Sequence, residues 1–265
     1  MLAQATTFFT SFFGSPSIWG IGLAIYFGAI WLIPYYPPLF KQARLWVVMV
    51  VSAFLALAAA AFVQIPLQFL AGQAIGSLWS QEYVMGRVLL FGIPQILLSG
   101  LVQEGAKMVP LVWYWRREGR RLDPKLGLAV GAAAGAAFGI FEAQWVHNQI
   151  FAAFASDNLW GVLQAGGPQV LFGFWERFFV VAAHTAFSAL AGYGLARGKG
   201  WQFYLIASGL HALLNYSAVL LTAGVLTAIQ LEIYVAVFAT SLTAWALWLR
   251  WRKTPLSIEA EANPA

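Results

Sequence analysis

Long apolar runs, separated by short polar segments, recur along almost the whole chain. Runs such as 46–63 are apolar on every helical face, and the period-two alternation of a membrane barrel is absent. About 20 such residues span the roughly 30 Å of hydrocarbon in a bilayer. The pattern therefore predicts an all-α membrane bundle of about seven transmembrane helices. The predicted spans are 17–36, 46–65, 87–115, 126–150, 174–196, 201–221 and 229–251.

Two features of this pattern predict departures from straight helices. Pro94 and Pro110 fall inside the long third span, where each removes one backbone hydrogen bond, so we expect a kink, a tilt or a break there. The segments 66–86 and 151–173 mix Gly, Trp and polar residues. We expect them to form interfacial helices or re-entrant loops on the outer side.

Composition excludes a soluble domain with a polar surface. The chain is 61% hydrophobic and only 9% charged, and its mean hydropathy is +0.73. It contains no cysteine, which excludes disulfides and thiol chemistry. No basic stripe interleaved with aromatic residues is present, so we expect no nucleic-acid partner.

The basic residues indicate the orientation of the bundle. Twelve Lys and Arg residues follow the first, third, fifth and seventh spans, whereas only Arg87 and Arg177 fall on the opposite side. Because basic residues in short loops accumulate in the cytoplasm, we expect the N-terminus outside and the C-terminus in the cytoplasm. The basic side would contact anionic lipid head groups. We expect one transmembrane domain, 1–251, followed by a disordered cytoplasmic tail, 252–265.

Four ionisable side chains fall near the middle of four different predicted spans. At 1.5 Å per residue from the cytoplasmic end, Glu104 lies about 16 Å deep, Glu142 about 24 Å, His184 about 20 Å and His211 about 15 Å. Asn215 follows His211 by four residues, on the same helical face. Isolated polar substitutions would not cluster in depth, so we expect a shared polar site.

Structural explanations compete with this hypothesis. Glu104 and Lys107 have the i,i+3 spacing of an ion pair within one helix, and His184 and His211 are candidates for interhelical hydrogen bonds. Glu142 is harder to explain in this way, because its own helix offers no nearby cation. A row of glycines precedes it at 127, 131, 135 and 139, which predicts tight packing against a neighbouring helix.

Carboxylates, imidazoles and a carboxamide at one place inside a membrane favour hydrolysis. In one mechanism a carboxylate takes a proton from water, a histidine orients that water, and the amide stabilises an oxyanion. In the other, His184 and His211 bind zinc together with one glutamate, of which Glu142 is a candidate, and the second glutamate acts as the base. No HExxH motif is present. The sequence leaves both mechanisms open.

Four short motifs resemble those of the PrsW family of intramembrane proteases, within the superfamily that includes the CAAX prenyl endopeptidases. They are QEGAK at 103–107, GAAFGIFEA at 135–143, HTAFSALAGYGLA at 184–196 and HALLN at 211–215. The likeness covers about 88–220. It implies substrates that are membrane-anchored or membrane-adjacent polypeptides, and a location in the bacterial cytoplasmic membrane.

The resemblance also implies roles for individual residues. Glu104 with Lys107 stands at the first motif, Glu142 at the second, His184 at the third, and His211 with Asn215 at the fourth. Our leading hypothesis makes Glu104 the base, lets Glu142 and His184 position water or metal, and assigns oxyanion stabilisation to His211 and Asn215. Gln103 and Lys107 would support the site.

Two positions depart from the family pattern. Gln103 replaces the first glutamate of the EExxK motif, and Ala143 replaces an asparagine. A glutamine cannot act as a base, so either Glu104 alone suffices or some activity is lost. The alternative hypothesis is a non-catalytic subunit that binds helices of a larger membrane complex. A small transporter with a proton relay ranks third, because no internal repeat pairs the two halves.

Overall fold

The computed structural model describes residues 2–14, 16–156 and 158–252. The regular elements within these ranges are all helical, and seven helices are long and apolar enough to cross a membrane. This confirms the predicted helical bundle and its number of spans. The tail predicted to be disordered lies, from residue 253 onward, outside the described residues.

The helices are numbered in chain order. The α-helices are α1 (Leu2–Gly14), α2 (Ile18–Leu32), α3 (Arg44–Ala59), α4 (Ile65–Leu78), α5 (Gln81–Met85), α6 (Val88–Phe91), α7 (Ile93–Arg117), α8 (Pro124–Ala153), α9 (Leu159–Gly166), α10 (Leu171–Ala196), α11 (Gly200–Thr222) and α12 (Ala228–Trp251). Short 3-10 turns cover Ile33–Tyr35 and Pro168–Val170, and a π-helical segment covers Ala60–Gln64.

The second span is longer than the sequence pattern predicts. Helix α3 continues through the π-helical segment into α4, so one helical span covers Arg44–Leu78. Pro66 stands at the start of α4. A proline inside a helix lacks an N–H and crowds the preceding turn, and the wider π-helical turn lies at that place. Much of the segment 66–86 is therefore a continuation of the second span.

The third span contains the expected break. Helix α6 ends at Phe91, and α7 begins after Gly92 with Pro94 in its first turn, where the missing N–H costs nothing. Pro110 lies inside α7, which runs unbroken to Arg117. The break therefore separates the N-terminal end of the span from the part that carries Glu104.

Helices α8 and α10 form the centre of the bundle. In an 18-residue apolar stretch of each span, 78% of α8 and 89% of the α10 span is buried, compared with 22–39% in the other spans. The surrounding helices are tied to this pair; for example, Ser52 on α3 donates a hydrogen bond of 2.9 Å to the carbonyl of Ala134 on α8. Side chains that project from facing sides of α8 and α10 are therefore shielded from lipid.

The glycine row of α8 is the surface that lets α10 approach closely. A Cβ at Gly131 would overlap the carbonyl of Ser188, and a Cβ at Gly135 would overlap the carbonyl of His184. This confirms the predicted packing role of the glycines, because a larger residue would push the two backbones apart.

The ends of the first, third, fifth and seventh spans meet on one side of the bundle, where the sequence places most basic residues. Orientation relative to the membrane stays a prediction. The contacts at this end include Arg44 Nη1–Glu118 Oε1 at 3.1 Å, Arg250 Nε–Tyr35 O at 2.9 Å and Arg252 Nη2–Tyr193 Oη at 2.9 Å.

Candidate active site

The four ionisable side chains predicted from sequence come from α7, α8, α10 and α11 and form one connected cluster. Close helix contacts bring them together: Gly135 abuts the backbone of His184, and a Cβ at Gly100 on α7 would overlap the carbonyl of Ser208 on α11. Gly135 lies about two turns from Glu142 on α8, and Gly100 lies about one turn from Glu104 on α7. The small residues thus determine where the polar groups converge.

Glu104 and Lys107 form a buried ion pair that extends beyond their own helix. Lys107 Nζ lies 2.6 Å from Glu104 Oε1, and both side chains are 1% exposed. The same Oε1 atom accepts a hydrogen bond from His211 Nδ1 at 2.8 Å, and Lys107 Nζ lies 2.8 Å from His184 Nδ1. The pair is therefore part of a network across three helices, and a purely local ion pair does not describe it.

His184 is held at both ring nitrogens. Its Nδ1 faces the Lys107 ammonium, which can only donate, so Nδ1 accepts. Its Nε2 lies 2.7 Å from Glu142 Oε2, and a carboxylate accepts, so Nε2 carries the hydrogen. The network thus assigns the neutral Nε2–H tautomer to His184. Glu142 fixes the orientation of the ring.

Glu142 differs from Glu104 in its exposure. Its side chain is 30% exposed, compared with 1% for Glu104, and it lines a cavity beside the cluster. Arg177 Nη1 lies 3.5 Å from Glu142 Oε1, and Arg177 also bonds Glu176 at 2.7 Å. Sequence reasoning counted Arg177 only as an outer-side charge. Its place inside a predicted span was the signal that could have identified it as a partner of Glu142.

Asn215 and Gln103 lie beside the cluster and bond other side chains. Asn215 Nδ2 donates to Ser99 Oγ at 3.0 Å. Gln103 Nε2 donates to Gln64 Oε1 at 2.9 Å and lies 3.5 Å from Ser99 Oγ. Sequence reasoning missed Ser99 and Gln64. Neither carries a charge, so their contribution depends on helix packing that the sequence does not display.

Ala143 lies on another face of α8. It is 1% exposed and belongs to an apolar cluster with Ala24 and Val181. An asparagine there would place a polar group among these apolar side chains, where it would need a hydrogen-bond partner. The local packing therefore suits alanine at this position.

Glu104, His184 and His211 are the cluster members that could hold a metal ion. Each offers one ligand atom within 4.8 Å of the others. Glu104 is therefore the candidate carboxylate ligand in the structure, whereas the sequence analysis named Glu142 for that role. Two imidazoles and one carboxylate form a donor set used by catalytic zinc sites. In addition, Glu104 Oε2 is buried and finds no hydrogen-bond partner in the described part of the chain.

The surroundings of these three residues fit a metal ion on one condition. His184 donates its second ring N–H to Glu142, which is how outer carboxylates commonly orient a metal-binding histidine. Lys107, however, bonds Glu104 Oε1 and His184 Nδ1. A metal ion bound through those two atoms would have to displace the Lys107 ammonium group.

Comparison with protein families agrees with this geometry. The family described as PrsW family intramembrane metalloprotease matches residues 41–245, which is well over half of the 265 residues. The chain belongs to the PrsW family of intramembrane metalloproteases. No curated protein and no solved structure matches it.

Membership of the PrsW family confirms the resemblance on which the sequence hypothesis partly rests. The match begins in the loop before α3 and ends inside α12, so it includes every residue of the polar cluster. It supports an integral membrane protease and does not favour the alternative of a non-catalytic subunit.

Proposed function

We propose that this chain is an endopeptidase that hydrolyses a peptide bond of a membrane-anchored or membrane-adjacent polypeptide. The observation that carries the proposal is the hydrogen-bonded cluster of Glu104, Glu142, His184 and His211, drawn from four helices. Buried ionisable groups are costly inside a membrane, so their concentration at one place favours a functional role. The family supports the class of reaction.

Glu104, His184 and His211 would hold the metal ion, for which we propose zinc. A metal ion bound there would polarise the scissile carbonyl and activate a water molecule. Glu104 suits the role of a ligand better than that of a base, because it is enclosed by Lys107 and His211 and is 1% exposed. This is the second of the two mechanisms that the sequence leaves open.

Glu142 is the carboxylate that we assign as the general base. It reaches the cavity, where water and substrate can approach, and its bond to His184 keeps it beside the candidate ligands. Glu142 takes a proton from the attacking water as the water oxygen adds to the carbonyl carbon. It then gives this proton to the amine nitrogen as the C–N bond breaks. Gln103 needs no basic function in this mechanism.

We assign oxyanion stabilisation to Asn215. Its amide group has two hydrogens and donates one of them to Ser99 Oγ at 3.0 Å. The second hydrogen can point to the oxygen that becomes negatively charged during attack. Ser99 would thus orient Asn215 without contacting the substrate.

Two glutamate variants test the proposal, because they separate metal binding from proton transfer. Purified Glu142→Gln protein, saturated with zinc, is expected to retain the metal and to lose cleavage of a single-span peptide by roughly 10²–10⁴-fold. Glu104→Gln is expected to lose both the bound zinc and the cleavage activity. Metal content is measured by mass spectrometry and cleavage by product analysis. Loss of zinc only in Glu142→Gln would reverse the two assignments, and unimpaired cleavage in both variants would exclude this site.

A further inference from the structure

A cavity of ≈ 210 Å³ lies beside the candidate active site, between α1, α3, the π-helical segment, α7 and α8. Most of its lining is aliphatic or aromatic, with Phe12 and Phe141 on one side and Ala56 and Ala60 on another. Glu142 also lines it, so the cavity is continuous with the proposed reaction centre.

Gln103 gives this cavity a polar feature that needs a partner. The residue is 7% exposed, and its Nε2 donates to Gln64 Oε1 at 2.9 Å. Its Oε1 atom is buried and receives no hydrogen bond from any described residue. A buried amide oxygen without a donor is unfavourable, and a peptide N–H is the donor that a polypeptide substrate brings.

The π-helical segment carries Gln64, the residue that accepts the hydrogen bond from Gln103. Gln64 is the last residue of this segment, and four residues later Gln68 Nε2 donates to the carbonyl of Gln95 on α7 at 2.8 Å. Gln95 Nε2 returns a bond to the carbonyl of Gln68 at 3.2 Å. These bonds hold α4 against α7. Short π-helical segments often occur at functional sites, where they redirect a side chain.

We propose that the cavity binds an aromatic or branched apolar side chain of the substrate next to the scissile bond, while Gln103 Oε1 accepts a hydrogen bond from the substrate backbone. This inference rests on the proposed protease function and adds the substrate preference. An apolar cavity of roughly 150 Å³ holds a benzene ring, so ≈ 210 Å³ accommodates a phenylalanine side chain. A lipid chain could fill the apolar part but has no N–H for Gln103.

A photo-crosslinking experiment tests the occupant without requiring cleavage. A diazirine-bearing photo-leucine is placed in each probe peptide, one residue from its central position, and Glu104→Gln protein is placed in phospholipid vesicles. The probes are single-span Ala/Leu peptides that differ at one central position, Gly or Phe. Crosslinking to the Phe peptide is expected to exceed crosslinking to the Gly peptide roughly tenfold, the discrimination of a typical apolar pocket.

Two alanine variants provide a matched comparison. Ala60→Leu fills the cavity and is expected to lower crosslinking of the Phe peptide to the level of the Gly peptide. Ala58→Leu makes the same change on α3 at a position outside the cavity lining and is expected to leave crosslinking unchanged. Gln103→Met, which removes the acceptor, is expected to lower it roughly tenfold. Thermal unfolding of each variant checks that the fold is retained.

The outcomes separate this inference from the proposed function. Equal crosslinking of both peptides, or adducts with phospholipid alone, would overturn the subsite. The unsubstituted protein is also tested for cleavage of both peptides. If the Phe peptide is clearly preferred in crosslinking but neither peptide is cleaved, the binding site is retained and the protease function is refuted. Cleavage of both peptides at equal rates would retain the protease and refute the subsite.

Discussion

Lys107 is a buried cation whose ammonium group bonds two of the three candidate metal ligands. Its positive charge balances Glu104 in a place where an unpaired carboxylate would be costly. A metal ion would supply the same compensation. Lys107 and the metal ion are therefore expected to compete for the same carboxylate and imidazole.

We predict that Lys107→Met binds zinc more tightly than the unchanged protein, by roughly tenfold or ~1.4 kcal/mol. Without zinc the variant is expected to be less stable by about 3–5 kcal/mol, because Glu104 loses its partner. Calorimetric titration measures the affinity, and thermal unfolding with and without zinc measures the stability. Lys199→Met removes an exposed lysine and serves as the control. Unchanged zinc affinity in Lys107→Met would show that the two cations do not share ligands.

Glu142 is expected to influence metal binding through His184. Its Oε2 atom accepts the Nε2–H of His184 at 2.7 Å, and such outer hydrogen bonds typically contribute about 10–100-fold to metal affinity. Glu142→Gln should therefore raise the dissociation constant for zinc by about that factor, measured by competition with a chelator, while the variant still fills with zinc at the saturating concentration used in the cleavage test. Arg177→Lys, which keeps the charge near Glu142, provides the comparison. An unchanged constant in Glu142→Gln would mean that His184 does not bind the metal.

At the scale of elements, the contact between α8 and α10 positions the cluster. Gly135 faces the backbone of His184, and a Cβ there would overlap the His184 carbonyl. Any increase in the distance between the α8 and α10 backbones would move His184 relative to Glu142, which lies two turns beyond Gly135 along α8. The glycine row therefore affects both stability and the geometry of the site.

Gly135→Ala is predicted to destabilise the protein by about 1–3 kcal/mol, because the added methyl group has no space in the helix contact. Cleavage should fall as well, because the bond between His184 and Glu142 lengthens. The control is Gly76→Ala on α4, where an added Cβ meets nothing within 4 Å. That change is expected to be neutral or to stabilise the helix by about 0.5–1 kcal/mol. Equal unfolding curves for the two variants would contradict the packing argument.

At the scale of the whole molecule, the distribution of basic residues predicts the orientation of the bundle in the membrane. Contacts such as Arg44–Glu118 and Arg252–Tyr193 bring the predicted cytoplasmic segments to one end of the bundle. The excess of basic residues at that end predicts that it faces the cytoplasm. The candidate active site would then lie within the bilayer, about 15–24 Å from the cytoplasmic end of its helices.

The absence of cysteine from the sequence makes this orientation directly testable. We predict that a single cysteine in Val225→Cys, in the loop between α11 and α12, reacts with a membrane-impermeant maleimide in intact cells. A single cysteine in Lys199→Cys, at the opposite end of α11, should react only after the membrane is opened. The two sites flank one span, so each is the control for the other. The reverse pattern would invert the topology.

The hydrophobic pattern alone determined the fold class, the number of spans and the packing role of the glycine row. A membrane excludes unsatisfied backbone groups, so apolar runs of sufficient length have to be helices. The same constraint made Glu104, Glu142, His184 and His211 visible, because ionisable groups are rare in such runs. The pattern predicted the span boundaries less accurately, because the second span continues beyond its predicted end at residue 65 to Leu78.

Only the tertiary structure decided which side chains pair. Sequence spacing relates residues on one helix, such as Glu104 and Lys107, but it does not define the rotation of α8 and α10 against α7 and α11. That rotation joins His184 to both Glu142 and Lys107, and groups Glu104 with the two histidines. Likewise, the packing of the second span against α7 brings Gln64 to Gln103, a pairing that no sequence signal indicates. Such contacts depend on distances between helices, which one-dimensional periodicity does not contain.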